Sequence, residues 1–243
     1  MSRSSQILSG MLPGALATLL ASPWISPPAS PAGEPTTEPE VAETPAEIVR
    51  LPASRDFGEL SLEDTLARRR SVRRYGSDAL KLAEVGQLLW AAQGITGPEG
   101  RRAAPSAGAL YPLEITVVAG RVEGLEPGVY RYRPASHDLE RRAGGDRRGA
   151  LARAAGGQAW VRQAPAVLVV AGVVGRTAVK YGGRARRYVH LEAGAAAENA
   201  HLQAVALGLG MVMVGAFDDR GVQEVAALAP EEEPFLLLPV GRR

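Results

Sequence analysis

The 243-residue chain contains no cysteine. Disulfides, thiolate metal sites and a cysteine nucleophile are therefore excluded, while nothing is decided about compartment. Histidine occurs only as His137, His190 and His201, so bases of that type are scarce. No Gly-x-Ser-x-Gly elbow accompanies them, which disfavours a hydrolase triad. No phosphate loop ending in Gly-Lys-Ser/Thr is present either, so nucleotide hydrolysis has no visible machinery. Aromatic residues make up 5% of the chain against 46% hydrophobic residues overall, and Ala, Val and Leu must build the core. Lysine is confined to Lys81 and Lys180; the other strong cations are arginines. The formal net charge is only +2, so any basic cluster is a local feature.

A long apolar run is also missing. Residues 7–21 are mostly apolar and follow Arg3, but Pro13 and Gly14 interrupt them. About 15 residues fall short of the ~20 that span a bilayer. Small residues close the stretch at Ala21 and Ser22, before Pro23, in the layout of a signal peptide. Residues 1–22 are expected to be a signal-peptide-like or membrane-tethering segment, with an exported or tethered location favoured over a cytoplasmic one. No twin arginine precedes residues 7–21, and no lipobox cysteine follows them. Residues 23–56 carry 8 of the 18 prolines among Ala, Glu, Thr and Ser, a composition that predicts a disordered linker.

The folded domain is expected over 57–243. Ser61 and Asp64 read as an N-cap with its N3 partner, opening a helix that runs to about Arg69. Apolar spacing predicts a second helix from Lys81 to Gln93, stopped by Gly94. Strands are expected at 113–119, 128–133 and 137–142, and a continuous apolar run at 165–174 reads as a buried strand. A short helix is expected at 146–155 and a polar, flexible insertion at 180–184. The longest helix, about 190–207, is rich in alanine. Strands at 210–217 and 234–240 flank a short helix capped by Asp218 or Asp219. Interleaved helices and buried strands define an α+β or α/β class.

Four segments stand out. Five arginines and Ser71 crowd into Arg68-Arg69-Arg70-Ser71-Val72-Arg73-Arg74-Tyr75. Guanidinium groups fork onto phosphate or carboxylate oxygens, yet charge alone equally fits a solvated basic face. Pro105-Ser106-Ala107-Gly108-Ala109-Leu110-Tyr111-Pro112 is a small-residue loop that would let a flat ligand approach the backbone. Lys180-Tyr181 is a lone lysine–tyrosine pair. Gly208-Leu209-Gly210 with Gly215 follows a helix and precedes a strand, the wrong order for a dinucleotide turn. Glu198 and His201 have the spacing of one metal-ligand pair, but His190 lies about 16 Å along the helix, and no metal site is expected.

Taken together, 69–75, 105–112, 180–194 and 199–210 occur in the order found in the nitroreductase-like flavoproteins, which the chain resembles from Ser61 to Arg242. Within that family it is most similar to the thiazole/oxazole-forming, SagB-type dehydrogenase branch. The resemblance implies an α+β fold with a central, mainly antiparallel sheet flanked by helices, and an intertwined homodimer holding FMN at its interface. It implies phosphate and ribityl contacts from Arg69, Arg70 and Ser71, and a place for Arg73 at the pyrimidine edge of the flavin. A cation there stabilises charge that develops on reduction. Pro105, Ser106, Ala107 and Gly108 would lie along the ring, Val214 and Gly215 would face N5, and Arg242 would be a second phosphate ligand. Lys180 and Tyr181 fall where the azoline-oxidising branch removes a substrate proton.

The expected activity is hydride transfer through flavin N5 on an azoline-like or related small or peptide-borne heterocycle, with oxygen as acceptor. The alternatives are NAD(P)H-dependent reduction of nitro compounds or quinones, and a flavin- or partner-binding module without turnover. Nucleic acid is not expected as a partner, because the basic cluster is so short.

Overall fold

Runs of Val, Leu and Ala that alternate sides generate the central sheet. The structure is a computed structural model and describes residues 47–243. In chain order its elements are β1 (Ile48–Arg50), α1 (Leu62–Arg68), β2 (Leu80–Lys81), α2 (Leu82–Gln93), β3 (Leu113–Ala119) and β4 (Val122–Glu123). There follow β5 (Gly128–Arg133), β6 (Asp138–Gly144), α3 (Arg148–Ala154), α4 (Ala159–Gln163) and β7 (Ala166–Gly172). The chain closes with α5 (Val174–Tyr181), α6 (Ala185–Ala206), β8 (Leu209–Met211), α7 (Asp219–Val225) and β9 (Glu233–Arg242).

Seven strands form one sheet in the order β1-β6-β5-β3-β7-β9-β8, and every pairing in it is antiparallel. A parallel pair, β2 with β4, stands apart. Every residue of β7 is buried because both faces of the sheet are covered. Leu168 and Val170 join the core beneath α2 and α6, whereas Val167 and Val169 join the one beneath α3, α4 and α7. This is the period-two division that a pleated strand imposes.

Helix α6 carries the fold's main small-residue face. Ala193, Ala196, Ala197, Ala200 and Ala204 are buried along it, at the spacing of one helical stripe. Methyl-sized side chains let the helix axis lie close to α2 and the sheet. The caps match the sequence reading: Ser61 accepts from the Asp64 N–H, and Asp218 from the Gly221 N–H.

Several expectations are corrected. The sheet begins at Ile48, ahead of the expected boundary at Phe57, because β1 pairs with β6 inside a proline-rich region. Residues 180–184 are not an insertion loop: Lys180 and Tyr181 end helix α5, and a 3-10 turn leads directly into α6. Helix α6 starts five residues earlier than periodicity suggested. The membrane tether and exported location are corrected as well. Among the described residues no helix is long and apolar enough to cross a membrane, and residues 7–21, on which that expectation rested, lie outside them.

One ion pair ties the sheet to the last turn of the chain. Arg131, on β5, donates from Nη1 to Glu232 at 2.7 Å and to Glu114 at 3.0 Å, with its second amino group also on Glu232. Arg131 and Glu232 are only 7% and 5% exposed. Burial acts to raise the Glu232 carboxyl pKa, but the Arg131 guanidinium and the Ala229 N–H outweigh it and hold the value below the usual range. Truncating Glu232 leaves the buried Arg131 guanidinium with Glu114 alone, and losing its charged hydrogen-bond partner costs about 1.5–3 kcal/mol. Glu232→Ala should therefore lower unfolding free energy by that amount in urea titrations at pH 7. A depressed carboxyl stabilises above its unfolded value of about 4.3 and loses that contribution as pH falls through the folded value. The gap between wild type and variant should accordingly shrink below about pH 4.

Candidate functional site

Beyond α1 the arginine segment leaves the helix and runs along the free edge of β8. Ser71 bridges Met211 in parallel, and the Val72 N–H donates to the Met211 carbonyl at 2.9 Å. Gly210 makes this approach possible, since a Cβ there would lie 2.6 Å from Val72 Cγ1. The Gly76 N–H then donates to the Arg242 carbonyl at 3.0 Å. The Tyr75 hydroxyl lies 2.8 Å from the Val72 carbonyl and 3.0 Å from that of Pro239, and burial pushes its pKa up. The segment is thus laced across the β8–β9 end of the sheet.

Its side chains divide by partner. Arg69 Nε is 3.6 Å from Glu198 of α6, a half-exposed pair. The Arg70 guanidinium bends back onto the carbonyls of Ala67 and Arg69, and its own carbonyl accepts from His201 Nε2 at 3.3 Å. Burial, ahead of the nearby arginines, lowers the His201 pKa, which keeps the ring neutral, with the proton on Nε2 as that bond requires. Ser71 is exposed. Arg73 sits over the Trp160 ring at 5.6 Å. Arg242 donates twice to Glu84, at 2.7 and 2.9 Å. Val214 exchanges both backbone bonds with Leu237 of β9, leaving Gly215 exposed just beyond. Val214 lies three residues beyond Met211, at most about 10 Å of extended chain.

The 105–112 loop forms a second cluster. The Ala107 N–H donates to Glu192 Oε1 at 2.8 Å, and the Tyr111 N–H to Ser106 Oγ at 2.9 Å. Gly108 has φ +65°, and a Cβ there would meet both Lys180 Nζ and Tyr181 Oη at 3.0 Å. Lys180 and Tyr181 therefore reach over the bare backbone of the loop. Tyr181 also packs edge-on against Tyr188, with centroids 4.8 Å apart. Pro105 is exposed on the loop's outer side.

The structure thus joins Pro105, Ser106, Ala107 and Gly108 with Lys180 and Tyr181. Separately, it joins Arg69, Arg70 and Ser71 with the β8 edge that leads to Val214 and Gly215. Both clusters hang from α6, at Glu192 and at Glu198 with His201; nine residues from Glu192 to His201 are about 13 Å of helix. The sequence reading missed Glu192, Glu84 and Trp160 as partners, and it placed His201 only as a packing residue. Glu192 and His201 fall in the same buried stripe as Val189, Ala193, Ala196, Ala197 and Ala200, so the apolar spacing that identified α6 also marked two polar residues inside its core face.

The arrangement fits a flavin phosphate and ring: an exposed hydroxyl among arginines on one side, and a side-chain-free peptide surface on the other. The comparisons agree. Residues 66–242 match the family model described as the Nitroreductase family. Over 195 residues, 80% of this chain and 96% of its counterpart, the sequence is 46% identical to the "putative nitroreductase" of Methanocaldococcus jannaschii. The fold is similar to the crystal structure of a Ralstonia eutropha JMP134 protein of the same description, with TM-score 0.71 and 33% identity, covering 80% of this chain and 89% of that one. It is also similar to a chain of the Escherichia coli microcin synthetase McbBCD complex with truncated pro-MccB17 bound, with TM-score 0.61 and 25% identity over 74% of this chain and 72% of that one. The chain belongs to the nitroreductase family and is an FMN-dependent oxidoreductase.

A carboxyl group that accepts a backbone N–H in a buried setting contributes about 1.5–3 kcal/mol when ionised. Replacing Glu192 with Ala should release the loop, so hydrogen exchange at the Ala107 amide should quicken by roughly 10- to 100-fold. The exchange of β7 amides should stay unchanged.

Proposed function

We propose that this enzyme is an NAD(P)H-dependent reductase of nitro compounds, quinones or related acceptors. The observation that carries the reading is the bare Gly108 backbone of a loop tied to α6 through Glu192, the helix that also anchors the arginine segment. The 46% identity to a protein described as a nitroreductase supports it. Bound FMN supplies a two-electron carrier that accepts and returns a hydride at N5. Arg69, Arg70 and Ser71 would hold the phosphate and ribityl end, and residues 105–108 would lie along the ring. Val214 and Gly215 would face N5, while Arg73 would sit at the pyrimidine edge. Arg242 would be a second phosphate ligand, shared with its Glu84 partner.

Because the two clusters are separated along α6, a homodimer in which each subunit completes the other's site fits the arrangement. Leu62 and Leu66 on α1, Val179 on α5 and Leu191 on α6 are large apolar residues left exposed in the single chain, as an unpaired interface would leave them.

A second reading, dehydrogenation of an azoline with oxygen as acceptor, is favoured by one observation: Lys180 Nζ and Tyr181 Oη converge on one point above Gly108. There they could take the proton lost as the ring becomes aromatic. The fold similarity to the microcin synthetase complex supports this reading.

Purified protein should be yellow, with about one FMN per chain, and should run as a dimer in light-scattering chromatography. Arg69→Gln should weaken FMN binding at least tenfold. Anaerobic NADH or NADPH should bleach the flavin rapidly; slow bleaching by both would overturn the reductase reading. Lys180→Ala should change nitro and quinone turnover less than about threefold. A loss of azoline oxidation by 100-fold or more, the range expected when a general base is removed, would establish the second reading instead.

A further inference from the structure

On the flank of the 105–112 loop, away from Lys180 and Tyr181, a cavity of about 660 Å³ opens among Arg102, Tyr111, Glu114, Arg131, Tyr132 and Arg176. Its size lies in the range of small-molecule sites. Nearly every charge in its wall has an opposite partner. Arg131 pairs with Glu114 and Glu232, Arg176 with Glu114 at 2.6 Å, and Arg142 with Glu140 at 3.3 Å. Arg133 pairs with Asp138 at 2.7 Å, and Glu99 with Arg101 at 3.4 Å.

Arg102 is the exception. Among the described residues it has no carboxylate within 4.0 Å, and one of its N–H donors goes to Gln93 Oε1 at 2.7 Å. Gln93 is only 3% exposed, so this anchor is rigid. One face of the guanidinium lies on the Tyr111 ring at 4.7 Å, and an antiparallel bridge to Ile95 fixes the backbone. Among the described residues, four of the five guanidinium N–H donors are left without a protein acceptor. Burial acts against the charge, with Glu114 offsetting part of that cost and Arg176 adding to it, yet an arginine does not deprotonate in proteins. A permanent, half-desolvated cation with an open edge is what an incoming oxyanion would satisfy in bidentate fashion.

We propose that this cavity binds the carboxylate or phosphate of a small molecule, with Arg102 as the anion ligand and Tyr111 and Tyr132 beside the body of the molecule. None of the residues assigned to the flavin takes part, so the site stands or falls apart from the reading of the reaction.

Isothermal titration of the purified flavoprotein in low-chloride buffer, with benzoate and separately with inorganic phosphate, tests the proposal. At least one of the two should bind at about one site per chain, and which one does so tells carboxylate from phosphate. Binding should weaken tenfold or more in Arg102→Gln and stay unchanged in Arg101→Gln, whose side chain is exposed. Failure of the wild type to bind either anion, or wild-type affinity in Arg102→Gln, overturns the assignment. Should Arg102→Gln not fold, the wild type decides with neutral probes. Benzamide, and glycerol for the phosphate arm, must bind at least tenfold more weakly than the anion that binds, and equal binding overturns the site.

Discussion

The site depends on how closely α6 lies against the rest of the molecule. Alanine at six buried positions brings the helix down onto α2 and the sheet, and the polar residues carried down with it become the fixtures of both loops. Glu192 accepts from the Ala107 N–H, and His201 Nε2–H donates to the Arg70 carbonyl. Neither bond would survive a helix held away by leucine-sized side chains. A rotation by one residue would turn both groups by about 100° and release the loop and the arginine segment together. The orientation of a single helix thus sets the geometry of two otherwise unconnected surfaces.

Arginine is used here in two distinct ways. Some guanidiniums are structural. Arg148 donates to Asp146 and to the Ala164 carbonyl, and it occupies the space where a Cβ on Gly120 would fall. Arg131 joins three elements through Glu114 and Glu232. Others, such as Arg69, Ser71's neighbour Arg70, and Arg102, have little carboxylate company and keep donors available. A planar fork with five donors can satisfy several acceptors at once inside a fold, which a lysine ammonium does less well.

That duality limited what could be read in advance. The α1 cap at Ser61, the ends of α2, and strands β3 and β5 were legible, because local capping and periodicity decide them. The arginine segment and the 105–112 loop also stood out in the sequence, since clustered guanidiniums and small residues are local signals. The partner of Arg242 was not: Glu84 lies 158 residues away, and nothing local marks it. Helix α5 was hidden because Val173 and Val174 read as the tail of a strand; Thr177, fully buried in its middle, shows that packing overrides its poor helix propensity. β1 was hidden by its proline-rich surroundings. The separation of the two clusters along α6 follows from tertiary placement alone.

The position of the last strand carries a consequence for biosynthesis. β9 lies between β7 and β8, so β8, although made earlier, has no strand neighbour in the sheet until residues 233–242 arrive. The edge on which Ser71 rests therefore forms only after them. The ties from residue 70 to 201 and from 131 to 232 span comparable distances in sequence. Contacts of such long range close late and slowly. A nascent chain that does not yet include residues 233–242 can form helices and the β3–β5–β6 meander, but β8 is not yet held in the sheet as an edge for the arginine segment. The order of synthesis thus places the docking of residues 71–76 after the folding of the sheet's other end.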